Sequence, residues 1–178
     1  MPQAMRIHCL PLLCIAIGLS ALNSCSNSPW PAPSPKPSTK AIELSDQVFI
    51  EINRYRTSQD LPALKRHEGL DQLALAHSQF LVKQRGTSWV HGKNVNHIGS
   101  AWRASGARER YQMHRYGENV AAILSSPKDT PGHLLLMWKT SYYHHQVMLG
   151  DWTHSGISML IDKDGAIFAT QVFTSQNE

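Results

Sequence analysis

Cysteine is scarce in this 178-residue chain: of three, Cys9 and Cys14 fall within a leading apolar stretch and only Cys25 lies beyond it. Once that leader is removed no intramolecular disulfide can form, whatever the compartment. Charge is sparse as well, at 17% of residues, and beyond residue 24 the chain carries 16 basic against 13 acidic side chains. A surplus that small gives little reason to expect a polyanionic partner. The leading apolar stretch, Ile7 through Leu22, is broken by His8 and Pro11 and falls short of the roughly 20 residues that a spanning helix needs. No His-Glu-x-x-His and no Gly-x-Ser-x-Gly occurs, which removes the helical zinc-hydrolase signature and the nucleophile elbow. What remains is a chain with 42% hydrophobic residues, enough for one folded domain of ordinary size plus an extension.

That extension reads as a targeting segment. Arg6 is the single charge in residues 1–24, ahead of the apolar run, and the segment closes on Leu22-Asn-Ser-Cys25. This resembles a bacterial lipobox, in which the cysteine is acylated and becomes the first residue of the mature protein. Residues 1–24 are therefore predicted to be a lipoprotein signal, with Cys25 the lipidation site; an ordinary secretory signal is the alternative. Ser26 in the next position resembles the outer-membrane sorting pattern of Gram-negative lipoproteins. Residues 25–40 hold five prolines and almost nothing to bury. Polyproline geometry makes them a semi-rigid tether of roughly 40 Å. The expected location is the cell envelope, held to a membrane through N-terminal lipid, because several acyl chains hold where one alone does not.

The domain is expected over residues 41–178. Ser45 offers a cap to a helix with Val48, Ile52 and Tyr55 on one face. A second helix is predicted after Gly69, with Leu70, Leu73, Ala74, His77, Phe80 and Leu81 sharing a face and Gly86 as its stop; His77 reads as a hydrogen-bonded core histidine. Ser100 offers a cap to a short helix. Arg103, Arg108, Arg110 and Arg115 alternate with Trp102, Tyr111 and Tyr116, which in an exported chain reads as a solvated face and not a nucleic-acid surface. Gly117-Glu118-Asn119 reads as a turn before a strand over Val120 to Leu124, and Thr130-Pro131 as a helix start. The end reads as a hairpin: alternating Ile157, Met159 and Ile161, a turn at Asp162-Lys-Asp-Gly165, and a return from Ile167 to Phe173. The turn's two aspartates lack the rest of a calcium loop.

The motifs that carry chemistry are Gly117-Glu-Asn-Val120 and, further on, Trp138-Lys-Thr-Ser-Tyr-Tyr-His144 followed by Met148-Leu149. Ile52-Asn-Arg-Tyr-Arg56, Leu73-Ala-Leu-Ala-His77, His91, Trp152-Thr-His-Ser-Gly156 and Ala169-Thr-Gln-Val-Phe173 fall around them in order. Together, over roughly residues 42–175, they resemble the CAP superfamily, which takes in cysteine-rich secretory proteins, antigen 5, pathogenesis-related proteins and bacterial SCP-domain proteins. The resemblance implies an α+β fold, a three-layer α/β/α sandwich, whose cleft gathers two histidines and two acidic residues.

Mapped by motif, the resemblance implies His91 and His144 as the histidines, with His145 the substitute for His144, and Glu118 as the acid. Asn119, Ser141 and Gln171 are implied as cleft supports. A fourth member is not evident; Asp151 and Glu109 are the acids that could substitute. Two neutral imidazoles could hold zinc or another divalent cation, with a nearby carboxylate to orient a histidine or take a proton from water. Three readings follow. The first is a ligand-binding or weakly metal-binding envelope module, not an enzyme, whose ligand is a lipid, a peptide or a cell-wall component. The second is a metal-dependent hydrolase of peptide or cell-wall substrates, with His91 and His144 as ligands and Glu118 as base. The third is a polar cluster that only braces the fold.

Overall fold

The computed structural model describes residues 37–87, 96–124 and 128–176. The leader, Cys25, most of the tether and His91 lie outside the described residues.

The chain runs α1 (Thr39–Thr57), β1 (Lys65–Arg66), α2 (Glu68–Lys83), α3 (Ser100–Tyr111), β2 (Met113–Ile123), α4 (Thr130–Thr140), α5 (Tyr142–Met148), β3 (His154–Ile161) and β4 (Ile167–Gln176). The strands form one sheet in the order β1-β3-β4-β2, with β1 parallel to β3 and the other pairs antiparallel. Alternation along each strand divides the core. Ala121, Ile123, Ile157, Met159, Ala169 and Phe173 bury against Leu44, Val48 and Ile52 of α1, Leu134 and Trp138 of α4, and Met148 of α5. Val120, Ala122, Phe168 and Val172 turn the other way, toward Leu70, Leu73, Ala74 and Leu81 of α2 and Ala107 of α3. Both faces of the sheet are covered, so the strands are buried almost throughout and the molecule is a three-layer α/β/α sandwich.

Several starts differ from the sequence reading, each for a local reason. Ser38, not Ser45, caps α1, accepting from the Ala41 amide at 3.2 Å. Ser45 lies two turns inside; its hydroxyl donates to the Ala41 carbonyl and accepts from Met159 N at 3.0 Å, covering the edge of β3. His67 caps α2, and its Nδ1 lies 3.4 Å from the Leu70 amide. Gly99, in the left-handed region at φ 77°, precedes α3, so Ser100 is its first residue and not its cap. Asp129 caps α4 by accepting from Gly132 N at 3.0 Å, with Pro131 in the first turn.

The largest difference is at Gly117-Glu118-Asn119. These residues are not a turn but the middle of β2, in register with Phe173, Val172 and Gln171. Pairing along the whole of β4 outweighs the turn preference of glycine and asparagine. The hairpin forms as expected, closed by Asp162 Oδ1, which accepts from Asp164 N and Ala166 N at 2.9 Å each, with Gly165 at φ 80°.

Candidate functional site

Because β2 is an edge strand, its two faces open onto helices from both outer layers. Glu118 points with Tyr116 and Val120 toward α2 and α3, and Asn119 points the other way, toward α4 and α5. The strand therefore presents a carboxylate to one layer and an amide to the other.

Glu118 is buried and fully engaged. Arg103, on the buried face of α3, grips it twice: Nε donates to Oε2 at 2.6 Å and Nη2 to Oε1 at 2.8 Å. The Tyr116 hydroxyl donates to Oε2 at 2.5 Å. His97, in the turn before α3, lies with Nδ1 2.9 Å from Oε1; a carboxylate can only accept, so His97 carries a proton on Nδ1, and in the neutral ring this tautomer puts the lone pair on Nε2. Behind them, His77 Nδ1 is 3.9 Å from Glu118 Oε1 and 3.1 Å from Thr170 Oγ1. His77 is a buried histidine with a hydrogen-bond partner, as its place on the apolar face of α2 predicts.

These contacts set the charges. Burial alone would raise the Glu118 pKa; the hydrogen bonds from His97 and Arg103 and the Arg103 charge outweigh it and hold it at about 2. Burial pulls on Arg103 in the opposite sense, but its bonds to Glu118 keep it charged. Burial, helped by the Arg103 charge, drives His77 down to about 3, so it is neutral. Burial and the Glu118 charge push the Tyr116 hydroxyl up, which keeps it a donor.

His144 reaches the same edge from α5. Its ring centroid lies 6.4 Å from that of His97, with the planes tilted by 48°. Burial, and then the proximity of His97, lower its pKa and favour the neutral imidazole. Asn119 Nδ2 donates to the His144 carbonyl at 3.0 Å, fixing the start of α5 against the sheet. His145 faces elsewhere: its Nε2 is 2.7 Å from the Tyr55 hydroxyl of α1, and the Tyr55 ring in turn carries Lys139 Nζ at 4.1 Å from its centroid. Of the two neighbouring histidines, His144 is the one that meets His97.

Among the other sequence-predicted residues, Gln171 is wholly buried, pairs with Asn119 in register and contacts Ser155 Oγ at 3.0 Å through Nε2. Ser141 marks the junction of α4 and α5 and makes no side-chain cap. Asp151 and Glu109 do not join the cluster: Asp151 pairs with Arg115 on the surface, and Glu109 accepts from Ser105 in α3. His91 lies outside the described residues.

His97, Arg103 and Tyr116 escaped the sequence reading. Arg103 is not part of a solvated face; it shares the buried face of α3 with Gly106 and Ala107, three and four residues on. That spacing, together with an acid just ahead of the apolar run Val120 to Leu124, was the available signal, since a buried carboxylate needs a cation.

Two imidazoles at this spacing, one oriented by a carboxylate through its far nitrogen, form an arrangement that suits a divalent cation or a hydrogen-bonding ligand. Among the described residues, no three His, Cys, Asp or Glu side chains converge as a metal set.

Comparison with known proteins agrees with this architecture. The chain is similar to an outer surface protein of Borrelia burgdorferi, with a TM-score of 0.61 and 15% identity, covering 76% of this chain and 94% of that one. It is also similar to a cysteine-rich secretory protein of Staphylococcus aureus, with a TM-score of 0.57 and 14% identity, covering 80% of this chain and 42% of that one. An extracellular SCP-domain protein of Bacillus anthracis gives a TM-score of 0.56 and 22% identity over 81% of this chain and 45% of that one. A search of curated proteins finds no match. The model of the cysteine-rich secretory protein family, CAP, matches residues 49–173, and the chain belongs to that family.

Proposed function

We propose that this CAP protein is an exported, lipid-anchored module of the cell envelope that binds a ligand at the His97–His144 edge, with weak affinity for zinc or a similar cation. The observation that carries this reading is the commitment of Glu118. With Arg103, Tyr116 and His97 all bonded to it and its pKa held at about 2, it is a very weak base, and its role is to orient His97. The hydrolase reading needed Glu118 to take a proton from water; the binding reading does not. His97 and His144 are the residues that would hold the ion, and bound there it would supply a positive charge that attracts an anionic or carbonyl group.

The surroundings support a ligand larger than an ion. The His97 side chain is 45% exposed, and exposed aromatics lie near the two histidines along the chain. Trp102, 62% exposed, borders Gly99, and Tyr142 and Tyr143, 72% and 80% exposed, immediately precede His144. Exposed flat rings beside polar side chains fit a lipid, peptide or cell-wall ligand. The envelope location is supported by the lipobox at Cys25 and by the Borrelia relative, which is described as an outer surface protein.

Zinc titration of the full-length protein near pH 7.5 tests the site. One ion per chain is expected, lost in His97→Ala and His144→Ala and retained in His145→Ala. Absence of saturable binding by wild type, or equal binding by all three variants, ends the metal part of the reading. Mass spectrometry of the mature N-terminus tests the anchor, with acyl chains expected on Cys25 and a free thiol there ruling it out.

A further inference from the structure

Asn119 and Gln171 stand directly opposite each other on β2 and β4, with their side chains on the α1/α4/α5 face, and both are wholly buried. Each amide uses its nitrogen: Asn119 Nδ2 donates to the His144 carbonyl at 3.0 Å, and Gln171 Nε2 lies 3.0 Å from Ser155 Oγ. Each leaves its oxygen, Asn119 Oδ1 and Gln171 Oε1, without a donor among the described residues. Two unpaired amide oxygens in opposed, buried positions of the core are unfavourable. Directly opposed residues have Cβ atoms about 4.5–5.5 Å apart, so the two amides are within reach of each other.

One rotation removes both defects. A half-turn of the Gln171 amide exchanges its oxygen and nitrogen without displacing any other group. Oε1 then accepts from the Ser155 hydroxyl, and Nε2 donates to Asn119 Oδ1. We propose that Gln171, in this orientation, is a positioning residue for His144, the last link in a hydrogen-bonded chain that runs from Ser155 through Gln171 and Asn119 to the His144 carbonyl.

The chain crosses β3, β4 and β2 and ends on α5, a helix of seven residues whose N-cap Ser141 makes no side-chain bond. So short a helix depends on outside supports for its direction. Trp152 Nε1 donates to the Val147 carbonyl at 2.7 Å and holds its far end, and the Tyr55–His145 contact holds its α1 side. The Asn119 bond serves the turn that bears His144. With Oδ1 accepting from Gln171, the Asn119 amide is locked in the orientation that donates to His144, and the bond is strengthened by polarisation along the chain. The inference rests on the reading of His97 and His144 as the paired groups of the site, and it assigns the core of the sheet a part in their spacing.

The test uses NMR on isotope-labelled full-length protein. In wild type, the Gln171 Nε2 protons should show a coupling across the hydrogen bond to Asn119 Cγ, and the His97 and His144 rings should show a through-space contact. Gln171→Met fills the same volume without the amide. It should lose the His97–His144 contact and keep Tyr55–His145, and zinc affinity should fall about tenfold, as for loss of an outer-shell partner. If Gln171→Met does not fold, Gln171→Glu serves instead: the protonated acid can donate to Asn119 and accept from Ser155, whereas the carboxylate can only accept. Its ring contact should appear at pH 5 and vanish at pH 8, with wild type unchanged between them. Coupling of the Gln171 amide to Ser155 only, an unaltered ring contact in folded Gln171→Met, or a pH-independent Gln171→Glu would overturn the proposal. Because the ring contact is read without metal, a wild type that binds no zinc would defeat the metal reading and leave this one still decided by the rings.

Discussion

Arg103 and Glu118, fifteen residues apart in the chain, form a buried two-point ion pair, Nε to Oε2 at 2.6 Å and Nη2 to Oε1 at 2.8 Å, between α3 and the edge strand β2. The pair ties α3 to the edge strand and, with the Glu118 pKa held at about 2, keeps the carboxylate ionised and a very weak base. The same carboxylate thus anchors a helix and accepts from His97.

Removing one half of such a pair leaves the other charged and dry. Glu118→Gln is expected to destabilise the fold by about 3–5 kcal/mol, and Arg103→Met by a similar amount, in urea unfolding at pH 7. The double variant Glu118→Gln/Arg103→Met should be less destabilised than the sum of the two, because it alone leaves no unpaired charge. Strict additivity would mean that the two groups are not coupled.

Acid should weaken the fold well before its carboxylates protonate. His77 has a native pKa of about 3 against an ordinary 6.5, so the unfolded chain binds the extra proton. Its contribution to stability is complete above pH 6.5 and is lost as pH falls toward 3. His144 and His154, both lowered, act in the same sense. Glu118, at about 2 against 4.5, adds its loss only below pH 4.5. Wild type should lose stability steadily from pH 6.5 downward, by about 1.4 kcal/mol per pH unit for each histidine fully in its window. His77→Gln, which keeps a polar partner for Thr170, should flatten the slope between pH 6 and 4.5; an unchanged slope would remove His77 from the account.

Gly156 is where α2 rests directly on the sheet. A Cβ there would lie 2.2 Å from the Leu70 carbonyl carbon and 2.3 Å from Asp71 N, both backbone atoms of α2. Gly156→Ala must push the helix away, and a loss of about 3 kcal/mol is expected, the upper part of the range for overpacking. Thermal melting checks it. Because the site lies at the other edge of the sheet, zinc binding by the folded variant should be unchanged.

The family was legible in the sequence because its motifs are short and contiguous, and each encodes a local requirement. Gly-Glu-Asn-Val occupies the edge strand, Trp138 through His144 the end of α4 and start of α5, and Ala169 through Phe173 the central strand β4. The hairpin was legible for the same reason: alternation and an Asp-x-Asp-Gly turn act over a few residues. Helix starts were read less well, since Ser38 and Ser45 are equally good caps by type and only the depth of the apolar face against β3 decides between them.

The amino-acid order alone placed the apolar faces of the main helices and the closing hairpin, because periodicity records which side of an element is apolar, while its resemblance to the CAP family implied the three-layer architecture and pointed to Glu118 and His144. Tertiary structure decided which partners meet. It turned Arg103 inward onto Glu118, brought in His97 from the turn before α3, and sent His145 to Tyr55, so that of these two neighbours it is His144 that faces His97. The physical reason is that hydrogen bonds and ion pairs act over about 3 Å in space. Groups fifteen, twenty-one or ninety residues apart are joined only when the sheet register and the helix packing place them there.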